Sequence, residues 1–354
     1  MSVEASDLLA VRRRKLEALR EAGIDPFPHA YDGVTPIAEA KQPHDGLEPG
    51  EETDVRVRVA GRLHARRGQG KMAFLDLDDR SGRIQLQARR DVLGEESFER
   101  LLAADLGDLL GGEGTIFKTR RGELSVKLEA WALLAKSLRP PPEKHHGLTD
   151  TETRLRHREL DLMANEETRA VFLTRARVVS EIRRFLDAEG FVEVETPVLQ
   201  PLYGGALARP FVTHFNALDR TMYLRIATEL YLKRLIVGGL ERVYEIGKDF
   251  RNEGLSTKHN PEFTMLEWYE AYADWEVVAA RAERLVRTVA EAVGSERFSR
   301  PWKRETLVGS ITNRTGIDVL AHRSLESLRE AMRAGGLEVP DEPNWAALVD
   351  HLVS

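Results

Sequence analysis

An α+β protein in two parts, a small closed β-barrel followed by a core built on an antiparallel sheet, is the fold class this 354-residue sequence predicts. Three observations carry the expectation. Between Val55 and Ala130 short runs alternate apolar and polar residues with turn residues between them, the pattern of strands with one buried face. The stretch LRPPPEKHHGLTD at 138–150 is a stiff proline-rich connector. Beyond it a long amphipathic helix precedes two further alternating runs, RVYEIGKDFRNE and EFTMLEWYEAY, joined by the loop GLSTKHNP. The limits that follow are 1–50 for an N-terminal helix and loop, 51–139 for the barrel, 140–157 for a linker and 158–354 for the core.

Composition bounds the function. With 42% hydrophobic residues the chain is too apolar for disorder, and 52 basic against 58 acidic side chains give a net charge of -6, so any nucleic-acid surface must be local. Zero cysteines exclude disulfides, thiolate metal sites and a cysteine nucleophile. No apolar stretch approaches the ~20 residues of a membrane span, and the N-terminus carries charges where a signal peptide needs an apolar run. A soluble, cytoplasmic protein without a membrane partner is expected.

Taken in order, residues 7–23 set Leu8, Leu9, Val11, Leu16 and Leu19 among Arg12, Arg13, Arg14, Lys15 and Arg20, a basic amphipathic helix stopped at Gly23. Its basic face is solvated or meets a partner such as tRNA. Residues 40–54 have no period and predict a loop. VRVRVAG, KMAFLDLDD and RIQLQA predict strands, the last two joined by the turn Asp79-Arg80-Ser81-Gly82. GEGTIFKT and GELSVKLEA predict a second hairpin, with an apolar helical insert near Phe98 to Leu110. A barrel of the oligonucleotide-binding type fits this count, and by pattern alone so does any other small β-barrel. His145 and His146 in the connector lack further ligand spacing and do not make a metal site. A helix from about Glu167 to Glu189 carries Val171, Phe172, Val178, Val179, Ile182, Phe185 and Leu186 on one stripe, and FVEVETPVL predicts a strand closed by Pro197. The end, NWAALVDHLVS, predicts an amphipathic helix without a cap.

Alternation also places chemistry. Arg251 and Glu253 share a face, as do Phe263, Met265, Glu267 and Tyr269, and an antiparallel hairpin would set Arg251 and Glu253 beside Glu267 and Tyr269 on one wall. Such a concentration of charge on an apolar sheet is costly unless a ligand fills it. Arg251 offers planar donors for a phosphate or carboxylate, Phe263 a face for a purine, and Lys258 and His259 could reach outer phosphates. Neither a G-x-x-x-x-G-K-[ST] loop nor a G-x-G-x-x-G turn is present, so the common phosphate-loop and dinucleotide folds are not supported. In the barrel, Phe74, Gln85 and Gln87 would share an exposed patch if the turn pairs Asp76 with Gln85, flanked by Arg62, Arg66, Arg67 and Lys71. A stacking ring with amides and local positive charge is what single-stranded bases need.

At these residues the chain resembles the class II lysyl-tRNA synthetases. FVEVETPVL is similar to the family's motif 1, and EIGKDFRNEGLSTKHNPEFTMLEWYEAYAD to its motif 2 with the intervening loop. YLRIATELYLKRLIVGG, GGALARPF, AGRLHARRGQGKMAF and GRIQLQARRD also match. The resemblance implies lysine activation with ATP and Mg2+ and transfer to tRNA(Lys). It implies that Arg251 holds the lysine carboxylate and the ATP α-phosphate, that His259 and Asn260 contact the triphosphate side, and that Phe263 stacks on adenine with Glu253 nearby. Gly205 and Glu229 would receive the α-ammonium of L-lysine, Glu267 and Tyr269 would lie toward its ε-ammonium, and Phe74, Gln85 and Glu123 would touch the anticodon. The helix before motif 1, with Pro197, would form a homodimer interface.

Two departures accompany the match. Nothing after Pro301 resembles motif 3 or the acidic strand that binds magnesium, so no metal ligand is expected within these residues. The sequence reads as a class II core cut short, inactive or impaired as it stands. In RLRHRELDL, Leu155 and Glu159 stand where the family often has aromatic residues. An aspartyl or asparaginyl enzyme is the alternative within the fold, disfavoured because Glu229, Glu267 and Tyr269 suit a cationic substrate. A noncatalytic tRNA-binding or dimer-forming protein, or a paralogue that lysylates a protein, stands outside it.

Overall fold

The computed structural model describes residues 3–142, 148–254, 256 and 259–353. His145, His146 and Lys258 lie outside the described residues. The chain divides into two compact units, Met1–Ala170 and Val171–Ser354.

In the first unit α1 (Val3–Glu21) precedes α2 (Ile37–Lys41), so part of the segment expected as loop is helical. Ile37 explains it: the side chain is fully buried and its N–H donates to Asp79 Oδ2 at 2.9 Å, tying α2 to the first barrel turn. The barrel then follows as β1 (Glu52–Gln69), β2 (Met72–Asp78) and β3 (Arg83–Arg89), the short helices α3 (Arg90–Leu93) and α4 (Glu95–Ala103), then β4 (Leu109–Lys118) and β5 (Leu124–Ala135). It closes in the order β1-β2-β3-β5-β4. The helical insert ends at Ala103, so Leu109 and Leu110 belong to β4. Asp79 makes the expected turn by accepting from Ser81 N at 2.6 Å and Gly82 N at 2.9 Å, an Asx turn. Alternation is obeyed on β2, where Ala73, Leu75 and Leu77 are buried with Ile84, Leu86, Phe98 and Val126 in one core.

The basic helix spends its charge on the barrel. Arg12 is buried and donates to the carbonyls of Ser137, Arg139 and Leu106, while Lys15 pairs with Asp105 at 2.6 Å. Arg12 is therefore withdrawn from solvent, Lys15 is paired but half-exposed, and Arg13 and Arg14 remain exposed. The unit ends with α5 (Thr151–Arg156), α6 (Arg158–Ala164) and the start of α7 (Glu166–Ala188). Asp161 joins them. Burial alone would push its carboxyl up, yet hydrogen bonds from Asn165, Arg154 and Thr168 bring it down to about 2.

In the second unit FVEVETPVL is not one strand. It splits into β6 (Val192–Glu193) and β7 (Leu199–Gln200), which enter different sheets because Pro197 has no N–H for a ladder and the Thr196 carbonyl accepts from Arg225. After β7 come β8 (Val212–Phe215), β9 (Arg220–Leu224) and α8 (Glu229–Val237), then the hairpin β10 (Arg242–Phe250) and β11 (Glu262–Glu270). One sheet runs β11-β10-β6, antiparallel between β10 and β11 and parallel between β10 and β6; the other runs β7-β9-β8. Leu186, Phe191 and Tyr244 pack behind the first sheet with Ile182, Phe185, Ile246, Leu266 and Trp268, each buried aliphatic or aromatic side chain contributing about 1.5–3 kcal/mol. The stripe of α7 thus divides: its C-terminal half covers the sheet, whereas Val171 and Phe172 are 65% and 49% exposed. Beyond β11, α9 (Trp275–Ala292) is followed by α10 (Leu307–Thr315), α11 (Leu325–Ala334) and α12 (Trp345–Val353), which share a separate core around Leu328, Met332 and Leu348. Contrary to the expectation of an uncapped end, Asn344 Oδ1 accepts from Ala347 N at 2.9 Å.

Candidate active site and nucleic-acid groove

The hairpin fixes one face. Its register sets Val243 opposite Tyr269, Glu245 opposite Glu267, Gly247 opposite Met265 and Asp249 opposite Phe263, so these positions share the face turned away from α7, the face that α8 meets, and Arg251 follows just past the strand end. Arg251 therefore shares the wall with Glu267 and Tyr269 but not their position: Glu245 and Val243 stand across from those two, and Arg251 lies at the far end beside Phe263. Its guanidinium is 5.2 Å from the Phe263 ring centre, and its Nε is buried without a hydrogen-bond partner.

At the opposite end Glu267 accepts from Thr228 N at 3.2 Å and from the Tyr269 hydroxyl at 3.4 Å. Burial first, then the charges of Glu267 and Glu229, push the Tyr269 hydroxyl well above its ordinary value, so it stays a neutral phenol. Glu229, the first residue of α8, pairs with Lys233 at 2.6 Å, and Lys233 Nζ lies 5.9 Å over the Tyr269 ring. Gly205 sits against this corner with φ +90, and a Cβ there would stand 2.8 Å from that of Glu229, so the backbone approaches as only glycine allows. The wall thus carries an acidic end, where a cation is welcome, and a guanidinium end suited to an anion.

Arg209 joins the GGALARPF loop to the strand end: Asn252 N donates to its carbonyl at 2.7 Å and its own N–H to Glu253 Oε1 at 3.2 Å. Glu253 and Asn252 line a hollow of about 650 Å³ with Tyr203 and Leu207. His259 Nδ1 is 2.8 Å from Ser256 Oγ, and Asn260 is exposed. The sequence reasoning overlooked Arg225, Thr228, Lys233, Glu245 and Asp249. Parity alone could have found Glu245 and Asp249, which are odd-numbered like Arg251 on the same strand. Asp249 is fully buried with neither oxygen hydrogen-bonded, and burial, with Glu267 and Glu245 adding to it against Arg225 and Arg251, pushes its carboxyl up to about 6.

In the barrel a groove of about 1010 Å³ brings Phe74, Gln85 and Glu123 together with Gln87, Phe117 and Asp76. The pairing of Asp76 with Gln85 and of Phe74 with Gln87 is as expected. Its positive rim is different. Arg62 and Arg66 turn away to the carbonyls of Gly107 and Ala104, and Lys71 does not line the groove. Arg67 lines the groove as expected, paired to Asp76 at 2.9 Å, and Arg83, Lys118, Arg120 and Arg121 supply the rest of the charge.

Residues 57–134 match the family described as OB-fold nucleic acid binding domain, and residues 150–337 match the tRNA synthetases class II (D, K and N). Along 99% of its length the chain is 50% identical to the lysine–tRNA ligase of Roseiflexus castenholzii and 45% identical to that of Staphylococcus aureus (strain N315), covering 74% of each.

Proposed function

Because the chain belongs to the class II tRNA synthetases and, within them, to the lysine–tRNA ligases, we propose that it activates L-lysine with ATP and passes the lysyl group to tRNA(Lys). One observation supports the choice of substrate above the others: the acidic corner of Glu229, Glu267 and Tyr269 stands on the same wall as Arg251, so a zwitterion with a cationic tail fits it end to end. In this reading Glu267 and the neutral Tyr269 hydroxyl receive the ε-ammonium, while Glu229 and the backbone at Gly205 receive the α-ammonium. Arg251 draws the lysine carboxylate and the ATP α-phosphate together. A carboxylate oxygen attacks phosphorus, pyrophosphate leaves, and the guanidinium stabilises the charge that grows on the phosphoryl oxygens. Phe263 takes the adenine with Glu253 nearby, and His259 and Asn260 lie toward the outer phosphates.

Mg2+ would accompany ATP. Among the described residues no group of three or more His, Asp or Glu side chains could hold a metal ion, and no step is assigned to Mg2+. Residues 51–139 would read the anticodon and 158–354 carry the chemistry. A homodimer through the exposed part of α7 and the segment at Pro197 completes the reading; a protomer mass by light scattering at micromolar concentration would remove it. Among the described residues no helix is long and apolar enough to cross a membrane; a cytoplasmic location is part of the proposal, testable by fractionation.

Calorimetric binding of a sulfamoyl analogue of lysyl-adenylate, beside the aspartyl and asparaginyl analogues, tests the substrate. Lysyl is expected to bind most tightly; preference for either other analogue would overturn the lysine reading, and anticodon stem-loop binding without affinity for any analogue would favour a noncatalytic tRNA-binding protein. In the groove, Phe74→Ala is expected to weaken anticodon stem-loop binding by about 1–3 kcal/mol, the worth of one stacked base, with analogue affinity unchanged. Equal stem-loop affinity in mutant and parent would return Phe74 to an incidental surface ring.

A further inference from the structure

We propose that Arg225 is a positioning residue for Arg251, fixing the end of β10 from which Arg251 projects. The proposal deepens the reading above and rests on the role given there to Arg251. Arg225 is 1% exposed, in the turn between β9 and α8. Its contacts converge on the three residues preceding Arg251. Nε donates to the Lys248 carbonyl at 2.9 Å and stands 3.1 Å from Asp249 Oδ1, and the Arg225 carbonyl accepts from Phe250 N at 2.9 Å. From the other side, Nη1 donates to Glu245 Oε1 at 2.5 Å and to both the carbonyl and Oγ1 of Thr196 at 3.2 Å, and Thr196 Oγ1 donates to Glu245 Oε2 at 2.6 Å. Arg225 N reaches the Val198 carbonyl at 2.9 Å. One side chain thus ties the segment after β6 to the last residues of β10.

Its placement on the wall is equally specific. Gly247 has no side chain, and a Cβ there would lie 2.0 Å from Arg225 Nη2 and 3.1 Å from Glu245 Oε1. The guanidinium therefore lies flat on the substrate face between the acidic end and Arg251, where Glu245 and Asp249 flank it. Two consequences follow. Glu245 and Asp249 face Arg225, so Glu267, with Glu229 beside it on Lys233, stands at the corner where a substrate ammonium would lie. Arg251, whose Nε finds no protein partner, takes its direction from the backbone that Arg225 holds. A buried ion pair made only for stability is often replaceable by apolar residues at no loss; the planar fork of an arginine spanning two carbonyls, two carboxylates and a hydroxyl is not matched by lysine.

The test is a double-mutant cycle of Arg225→Gln and Arg251→Ala, read by affinity for the sulfamoyl analogue of lysyl-adenylate and repeated with Arg225→Lys in place of Gln in case the amide variant melts below the assay temperature. Each Arg225 variant alone is expected to lose about tenfold, within the range of couplings inside one network, and to lose little more once Arg251 is already alanine. Anticodon stem-loop binding should stay at the parent value. Full additivity, or parent affinity in the Arg225 variants, overturns the positioning role while leaving Arg251 where it was. Parent affinity in Arg251→Ala alone would instead overturn the reading of Arg251, and this proposal with it.

Discussion

Where the parent catalyses lysine-dependent ATP–pyrophosphate exchange, Arg251→Ala is expected to slow it by ~10²–10³-fold, the usual loss when one donor aimed at developing charge is removed. The structure makes the experiment clean. The Arg251 guanidinium rests on the Phe263 ring with its Nε buried and unpartnered, so truncation removes little that holds the fold together. The backbone at this position is fixed independently, since Arg251 N donates to the Pro261 carbonyl at 2.9 Å and Phe250 N to that of Arg225. Melting temperature should therefore match the parent, and the loss should fall on the rate more than on lysine affinity, because the ammonium ends are held by Glu229 and Glu267. Exchange within a factor of three of the parent would sink the assignment. A matching fall in melting temperature would convict packing instead.

Why the wall was legible, and where it was not, follows from what period two can and cannot encode. Alternation told that Arg251, Phe263, Glu267 and Tyr269 face one way, because a strand puts odd residues on one side whatever its register. It could not tell who stands opposite whom. That depends on the length of the GLSTKHNP loop, and the hairpin pairs Glu267 with Glu245, four pairs away from Phe263. Arg225 was invisible for a different reason: a guanidinium buried by contacts 20 to 29 residues away leaves no local period, and the glycine that admits it, Gly247, looks like any strand glycine. In the barrel the inward residues of β2 were legible from alternation, whereas Arg62 and Arg66 were misplaced on the groove because long side chains go to whichever carbonyls they can reach. FVEVETPVL deceived for a third reason. Its apolar run satisfies the strand pattern, but Pro197 and the demand of Arg225 for the Thr196 carbonyl cut it in two.

The second large effect lies in the barrel, where Lys136→Met is expected to cost about 3–5 kcal/mol, the range for removing one partner of a buried pair. Lys136 is 5% exposed and its ammonium donates to Asp105 Oδ2 at 2.7 Å and to Asp108 at 2.8 and 2.9 Å. Asp108 is wholly buried and also accepts from Ser137 N at 2.7 Å and Asp105 N at 2.8 Å, so its carboxylate cannot turn to water when the lysine is gone. The same knot holds α1, since Lys15 shares Asp105 and Arg12 grips the carbonyl of Ser137. Burial pushes the Asp105 carboxyl up, but hydrogen bonds from Lys136 and Lys15 hold it below its usual range. A depressed carboxyl stabilises the fold above its ordinary value near pH 4 and loses that contribution as pH falls through the lowered one, so the mutant should differ most from the parent near neutrality and least in strong acid. Because Met1–Ala170 and Val171–Ser354 are separate compact units, anticodon stem-loop binding should fail on warming well before binding of the lysyl-adenylate analogue does. Adding Asp108→Asn to Lys136→Met should restore part of the loss by removing the stranded charge. A barrel that melts within about 0.5 kcal/mol of the parent, the scatter of ordinary surface changes, would show that Asp105 and Asp108 do not depend on Lys136.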